Sequence, residues 1–97
     1  MDEEKLIESA HVLFHPIRYR IVKVLKERPM HINEISDRIG KDRRLVSHHL
    51  LTLEEHGFLA SRYYVSQMPR SKGKAIRIYW NTEKVKEVME ELRDMLY

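Results

Sequence analysis

The chain has 97 residues, of which 42% are hydrophobic and 34% are charged, and it contains no cysteine. This length predicts one domain over residues 1–97, and the lack of thiols excludes disulfides, cysteine nucleophiles and thiolate metal sites. No apolar run approaches the ~18 residues of a membrane span, and the acidic start of the sequence lacks the basic region and apolar core of a signal peptide. We therefore expect a cytoplasmic protein with no membrane partner.

The net charge of +3 is distributed unevenly. Residues 1–14 carry one Lys against four acids, and residues 81–97 carry three bases against five acids, so both ends are acidic. Residues 15–80 carry fourteen Lys or Arg against six Asp or Glu, a surplus of eight positive charges. Positive charge concentrated in one part of a chain indicates binding to a polyanion such as nucleic acid.

Apolar residues at helical spacing predict two helices in the first third of the chain. The first ends near His15, because Pro16 disfavours a helical conformation in the residue before it and suits the first turn of the second helix. That second helix stops before Pro29. Residues 30–32 then form a short extended piece.

The next segment predicts two helices joined by a tight corner. The first has about two turns and ends at Gly40, and Asp42 is the N-cap of the second, which ends at Gly57. Two helices joined by a short glycine-containing turn form a helix-turn-helix, here over residues 33–57, and the second helix of such a motif enters the major groove of DNA.

A β-hairpin is predicted over residues 58–81, where the apolar period changes from helical to alternating. The alternating residues are Leu59, Tyr63 and Val65 in one run and Ile76, Ile78 and Trp80 in the other. The connection over residues 67–74 carries three bases and little apolar surface, so we expect it to be mobile. A last helix, capped by Asn81 or Thr82, carries an apolar stripe beside acidic residues.

This order of elements predicts a winged helix-turn-helix, a mainly α fold with a small β-hairpin (α+β) and an additional helix at each end. In the second helix of the motif, residues 43–56, the apolar face must pack on the core, so the polar side chains near its start point outward. The DNA-binding residues predicted there are Lys41, Arg43, Arg44, Ser47 and His48. Arginine can hydrogen-bond two acceptors of guanine at once, and Ser or His can contact base or phosphate.

The hairpin supplies a second set of predicted DNA contacts. Its basic tip can follow the phosphates or enter the adjacent minor groove, where the potential is most negative. The DNA-binding residues predicted here are Arg62, Arg70, Lys72, Lys74 and Arg77.

Residues from about His15 to Asn81 resemble the ArsR family of small prokaryotic winged-helix repressors. The resemblance rests on the stretches FHPIRYRI (residues 14–21), GKDRRLVSHHL (residues 40–50) and LEEHGFL (residues 53–59), which are shared in part with other regulators of the MarR type. It implies a homodimeric repressor that binds double-stranded DNA. Its first and last helices, residues 1–15 and 82–97, would then form the dimer interface.

The terminal helices agree with that implication, since a small core hardly needs both of their apolar stripes and both lie outside the basic segment. A twofold dimer would place its two reading helices about 34 Å apart, which matches an inverted repeat. The alternative is that these helices fold back onto their own core. The predicted interface residues are Leu6, Ala10, Leu13, Val85, Val88, Met89, Leu92 and Leu96.

The chain departs from the family in its metal-sensing residues. Many members sense metals through a Cys pair at the start of the third helix or through Asp and His on the last helix, and neither pattern is present. His11 and His15 stand four apart, but two ligands do not make a site. We predict no metal and no cofactor, and whether a small-molecule effector exists stays open.

An enzyme is not predicted, because the sequence has no glycine-rich phosphate loop, no nucleophile motif, and no carboxylate pair or zinc signature at suitable spacing. The alternative function is a winged-helix module that binds a protein or RNA of the transcription machinery. The outward arginines of the reading helix favour duplex DNA. An RNA reader would also display stacking platforms, whereas we expect at least half of the hairpin aromatic residues, Tyr63, Tyr64, Tyr79 and Trp80, to lie in the core.

Overall fold

The computed structural model describes all 97 residues and has the predicted order of elements. The helices are α1 (Glu3–Leu13), α2 (Pro16–Leu25), α3 (Ile32–Ile39), α4 (Arg43–Glu55) and α5 (Glu83–Leu96). The strands are β1 (Met30–His31), β2 (Leu59–Val65) and β3 (Ala75–Asn81). The chain is therefore an α+β winged helix-turn-helix.

Side chains cap the start of every helix. Asp2, Asp42 and Thr82 accept backbone N–H groups from the first turns of α1, α4 and α5, so Thr82 rather than its neighbour caps the last helix. His15 and His31 do the same for α2 and α3 through Nδ1, each at 3.1 Å from the donated backbone nitrogen. Each cap satisfies an N–H that the helix itself leaves unpaired, which fixes where the helix begins.

The core lies between α2, α3, α4 and the base of the hairpin. The apolar faces of these elements meet there, so their side chains are removed from water, at a gain of about 25 cal/mol per Å² of apolar surface. The largest side chains with almost no exposure are Phe58, Leu13, Ile21, Met30, Ile35, Leu50, Leu53, Val46 and Val88.

The sheet has three antiparallel strands in the order β1-β3-β2. The register of the hairpin runs from Leu59 opposite Asn81 to Val65 opposite Ala75, and β1 adds Met30 opposite Tyr79. The extended piece predicted from the sequence is thus a third strand.

The two alternating apolar runs lie on opposite faces of the sheet, because residues directly opposite each other share a face. Only Leu59 of the first run is buried, while Tyr63 and Val65 are each 64% exposed and Tyr64 is 47% exposed. The expected burial of half of the hairpin aromatic residues is wrong for this outer part. The alternation of apolar residues therefore continues beyond the core.

The terminal helices pack against each other within the single chain. Leu6, Leu13 and Val88 of the predicted dimer interface are at most 4% exposed there, so these three belong to the core of the chain and offer no surface to a partner. The molecule is elongated, with extents of 51 × 22 × 21 Å. None of its helices combines the length and the apolar character needed to cross a membrane.

Candidate nucleic-acid interface

A three-residue corner sets the position of α4 relative to α3. Gly40 ends α3 in the left-handed conformation with φ of 69°, which L side chains rarely adopt. Asp42 Oδ1 then accepts the N–H of Leu45 at 3.0 Å and starts α4. Arg20 of α2 stabilises this corner, because its guanidinium donates a hydrogen bond to the carbonyl of Ile39 at 2.7 Å.

The predicted reading face of α4 is exposed. Val46, Leu50 and Leu53 are buried on the opposite side of the helix. The residues left in solvent on α4 and the corner before it are Lys41, Arg43, Arg44, Ser47 and His48. Leu51, which is 56% exposed, lies one turn after Ser47 and adds apolar surface to the same face.

The tip of the hairpin is organised by Ser66 rather than left as an unstructured loop. Ser66 is 3% exposed, and its hydroxyl lies 2.6 Å from that of Ser71 and accepts the N–H of Met68. Its carbonyl accepts the N–H of Gly73, which has φ of 85°. The expectation of mobility rested on the lack of apolar anchors, and the sequence contains no sign of these hydrogen bonds. The three bases on the tip, Arg70, Lys72 and Lys74, are exposed.

Arg77 is committed to contacts inside the protein, although we predicted it to contact DNA. Its guanidinium forms an ion pair with Glu54 of α4 at 2.7 Å and donates to Ser61 Oγ at 2.8 Å. It also lies over the rings of Tyr63 and Tyr79, at 5.5 and 5.2 Å from the ring centres. Arg77 therefore ties the hairpin to the reading helix, and its charge is already paired with that of Glu54. Arg62 on the other sheet face forms no ion pair.

The basic residues of the central segment, residues 15–80, form two groups. One group forms ion pairs or hydrogen bonds within the protein, and the other, called unengaged below, does not. Five of the fourteen in residues 15–80 are held within the protein, and these are Arg18, Arg20, Arg28, Arg38 and Arg77. Of the nine that form no such contact, seven lie on α4, its preceding corner and the hairpin. The other two are Lys23 and Lys26 of α2. The unengaged charge is thus concentrated at one surface made of α4 and the hairpin.

A cluster of histidines behind the reading face was not predicted as a functional feature. His49 of α4 is 5% exposed, its ring centre lies 4.5 Å from that of His15, and its Nδ1 lies 3.2 Å from Arg18 Nη1. The pKa of His49 is lowered to about 4, mainly by burial and further by the nearby charges of His15, Arg18 and His48. Burial, followed by Arg18 and His48, also lowers the pKa of His15. The only sequence signal is the position of His49 on the apolar side of α4, next to Leu50.

His11 and His31 lie outside this cluster. His11 lies exposed on α1 and His15 lies beyond the end of that helix, so the two do not share a helix face. No three His, Asp or Glu side chains come together in a group suited to a metal ion. Burial, followed by Arg43, lowers the pKa of His31.

The remaining predicted interface residues lie on the outer side of the terminal helices or between them and the core. Ala10, Val85 and Leu92 are partly buried, while Met89 and Leu96 are 40% and 71% exposed. Ile7, which is 52% exposed, adds apolar surface on α1.

A comparison with known protein families finds a match for the central segment of the chain. Residues 15–61 match the family described as "Bacterial regulatory protein, arsR family". The match covers α2, α3 and the whole of the reading helix α4, and it ends within β2. This family consists of regulatory proteins and not of enzymes. No curated protein sequence matches the chain.

Solved structures with the same fold include three regulators. BigR from Xylella fastidiosa, described as a transcriptional repressor, is 27% identical with a TM-score of 0.65, over 96% of this chain and 87% of that one. The diamide-treated YodB from B. subtilis is 21% identical with a TM-score of 0.73, over 99% and 89% of the two chains. A possible transcriptional regulator for arsenical resistance is 23% identical with a TM-score of 0.68, over 89% and 80%.

Proposed function

Because this chain is an ArsR-like winged helix-turn-helix protein and a DNA-binding transcriptional regulator, we propose that it acts as a homodimeric repressor that reads an inverted repeat. The observation that carries the proposal is the surface of α4 and the hairpin. Seven of the nine unengaged bases of residues 15–80 lie there, while five arginines of the same segment are paired or hydrogen-bonded inside the protein.

In this proposal α4 lies in the major groove. Its first two turns present Arg43, Arg44, Ser47 and His48, and neither arginine has an acidic partner to compete with a base. A guanidinium free of other partners can donate two hydrogen bonds to O6 and N7 of guanine. Lys41 at the corner is placed for a phosphate.

The hairpin serves as the wing. The hydrogen-bonded cap at Ser66 holds Arg70, Lys72 and Lys74 at the far end of the molecule, so their charges can reach phosphates or the minor groove beside the site of α4. A wing held by hydrogen bonds has less conformational entropy to lose on binding than a disordered loop. Arg62 extends the same positive surface along β2.

The dimer would form through the outer side of the terminal helices, with Met89, Leu92 and Leu96 of α5 and Ala10 of α1. Both helices belong to the acidic ends of the chain, so an interface there keeps their acids away from DNA phosphates. Leu6, Leu13 and Val88 support this interface from inside by holding α1 against α5. BigR, the structure at 27% identity, is described as a transcriptional repressor.

Selection of bound sites from a random duplex library tests this proposal. We expect enriched sequences with two inverted half-sites whose centres lie about 10 base pairs apart, because this is the spacing of major grooves on one side of the duplex. The mass of the complex on an enriched duplex, from sedimentation, should correspond to two chains. An asymmetric single site bound by one chain would contradict the dimeric arrangement, and the absence of any enriched sequence would contradict base reading.

A further inference from the structure

An open groove lies between α2, the end of β3 and the start of α5, and none of the predicted DNA-binding residues lines it. Its volume is about 810 Å³, within the range of small-molecule sites. Most of the surface along it is apolar, and the residues that supply it include Leu13, Val22, Leu25, Trp80, Val85 and Met89. A groove of this kind can remove more of the apolar surface of a ligand from water than a flat surface can.

Positive charges surround the apolar part of this groove. Lys23, Lys26 and Lys86 line it and form no ion pair, and Arg28 lines it while paired with Glu34. Glu83 is the only acid among the lining residues. Lys23 and Lys26 are the two unengaged bases of the central segment that lie outside the proposed DNA surface. Their charge therefore needs another explanation.

We propose that this groove binds a small amphipathic anion, a carboxylate with an apolar body. The body would replace water along the apolar side chains, and the carboxylate would lie among the three lysines. A second copy of the chain fits the groove less well, because lysine is depleted in protein interfaces. The proposed dimer surface shares Met89 with the groove but continues toward Leu96, away from the lysines. Binding here does not depend on the proposed repressor function.

Trp80 is the single tryptophan of the chain and lines the groove, so its fluorescence reports directly on occupancy. The probe is 4-phenylbutyrate, and the control ligand is 4-phenylbutanamide, which keeps the apolar body and removes the charge. We expect saturable quenching by the carboxylate, together with a shift of the indole N–H signal in a ¹H–¹⁵N spectrum. The amide should bind at least about tenfold more weakly, which corresponds to about 1.4 kcal/mol.

A triple variant, Lys23→Ala, Lys26→Ala and Lys86→Ala, separates the groove charges from the overall charge of the protein. It should lose about tenfold in affinity for the carboxylate. The matched control, Lys5→Ala, Lys72→Ala and Lys74→Ala, removes the same number of charges elsewhere and should change the affinity less than about twofold. Circular dichroism of both variants checks that they are folded.

Three results would overturn the proposal. The first is the absence of saturable quenching at millimolar carboxylate, and the second is equal affinity for the carboxylate and the amide. The third is quenching that weakens as the protein concentration rises, since this would assign the groove to a second copy of the chain. None of these measurements involves DNA, so their failure leaves the proposed function standing.

Discussion

Arg43 and Arg44 are the two side chains of α4 with the strongest capacity to read a base, because each is exposed and without an acidic partner. Replacement of either by Ala should cost about 1 to 3 kcal/mol on the preferred duplex and relax the preference at one base position. The measurement is affinity for the preferred site and for single-base variants of it. Arg44→Lys is an informative control, since it keeps the charge but loses the two parallel hydrogen bonds. Equal losses on preferred and random duplex would rule out base reading.

His49 should make the stability of the protein depend on pH. Its pKa is lowered to about 4 in the folded state, so between pH 6.5 and 4 it stays neutral when folded and takes up a proton when unfolded. The free energy of unfolding therefore falls as the pH falls through this window, by up to about 3 kcal/mol from this residue.

Urea unfolding at several pH values compares the wild type with His49→Gln, which keeps an acceptor for Arg18. The variant should lose part of the decrease in stability between pH 6.5 and 4. His11→Gln is the matched control, because His11 is exposed on α1 and is not among the groups that lower the pKa of His49, so its replacement should leave the pH dependence in place. Identical curves for wild type and His49→Gln would show that His49 does not resist protonation in the folded protein.

Within the hairpin, replacement of Arg77 and replacement of the tip bases should have different effects on stability and on the salt dependence of DNA binding. Arg77→Ala removes the link to Glu54 and leaves that partly buried acid without its partner, so it should lower the free energy of unfolding by about 1 kcal/mol. The slope of log affinity against log salt concentration should stay unchanged. A flatter slope with unaltered stability would instead place Arg77 at the phosphates, as the sequence predicted.

The triple variant Arg70→Ala, Lys72→Ala and Lys74→Ala should behave in the opposite way. These side chains are exposed, so stability should change by less than about 0.5 kcal/mol. Binding should weaken on preferred and random duplex alike, and the salt slope should flatten by roughly one for each phosphate that the variant no longer neutralises. An unchanged slope would remove the wing from the interface.

The individual elements differ in how far the sequence determines them. The helix-turn-helix was predictable because Gly40 and Asp42 mark its corner and Val46, Leu50 and Leu53 define its buried face. The strands were predictable in extent but not in burial, since alternation alone does not tell how far a hairpin extends past the helices. The caps formed by His15 and His31, and the tip organised by Ser66, depend on local hydrogen bonds that have no strong sequence pattern.

Across the whole molecule, the sequence could not separate two uses of the terminal helices, packing within the chain and the proposed dimer contact. Their stripes predicted a dimer interface, but Leu6, Leu13 and Val88 are used within the chain, which leaves Met89 and Leu96 as the exposed residues of the predicted interface on α5. A periodic stripe shows that a helix face is buried, and it does not show whether the neighbour is the same chain. The structure also pairs Arg77, one of the predicted DNA contacts, with Glu54, and charge in a sequence does not show which charges are already paired.

The proposed dimer should be broken by charges on the outer side of α5. Met89→Glu with Leu96→Glu places two acids on the exposed apolar surface, where burial against a second copy would be unfavourable. Sedimentation should show a monomer that remains folded by circular dichroism. The control Val65→Glu with Met68→Glu adds the same charge to two exposed apolar residues of the wing and should remain dimeric. A dimeric Met89→Glu/Leu96→Glu variant would place the interface elsewhere.

The most direct test of the central claim, that the surface of α4 and the hairpin binds duplex DNA and reads its sequence, is a fluorescence-anisotropy titration across a range of salt concentrations. The two ligands are a duplex from upstream of the gene of this protein and a random duplex. We predict tighter binding to the upstream duplex and a log–log salt slope near −0.9 for each phosphate contacted. Absence of binding to either duplex at low salt would contradict the claim.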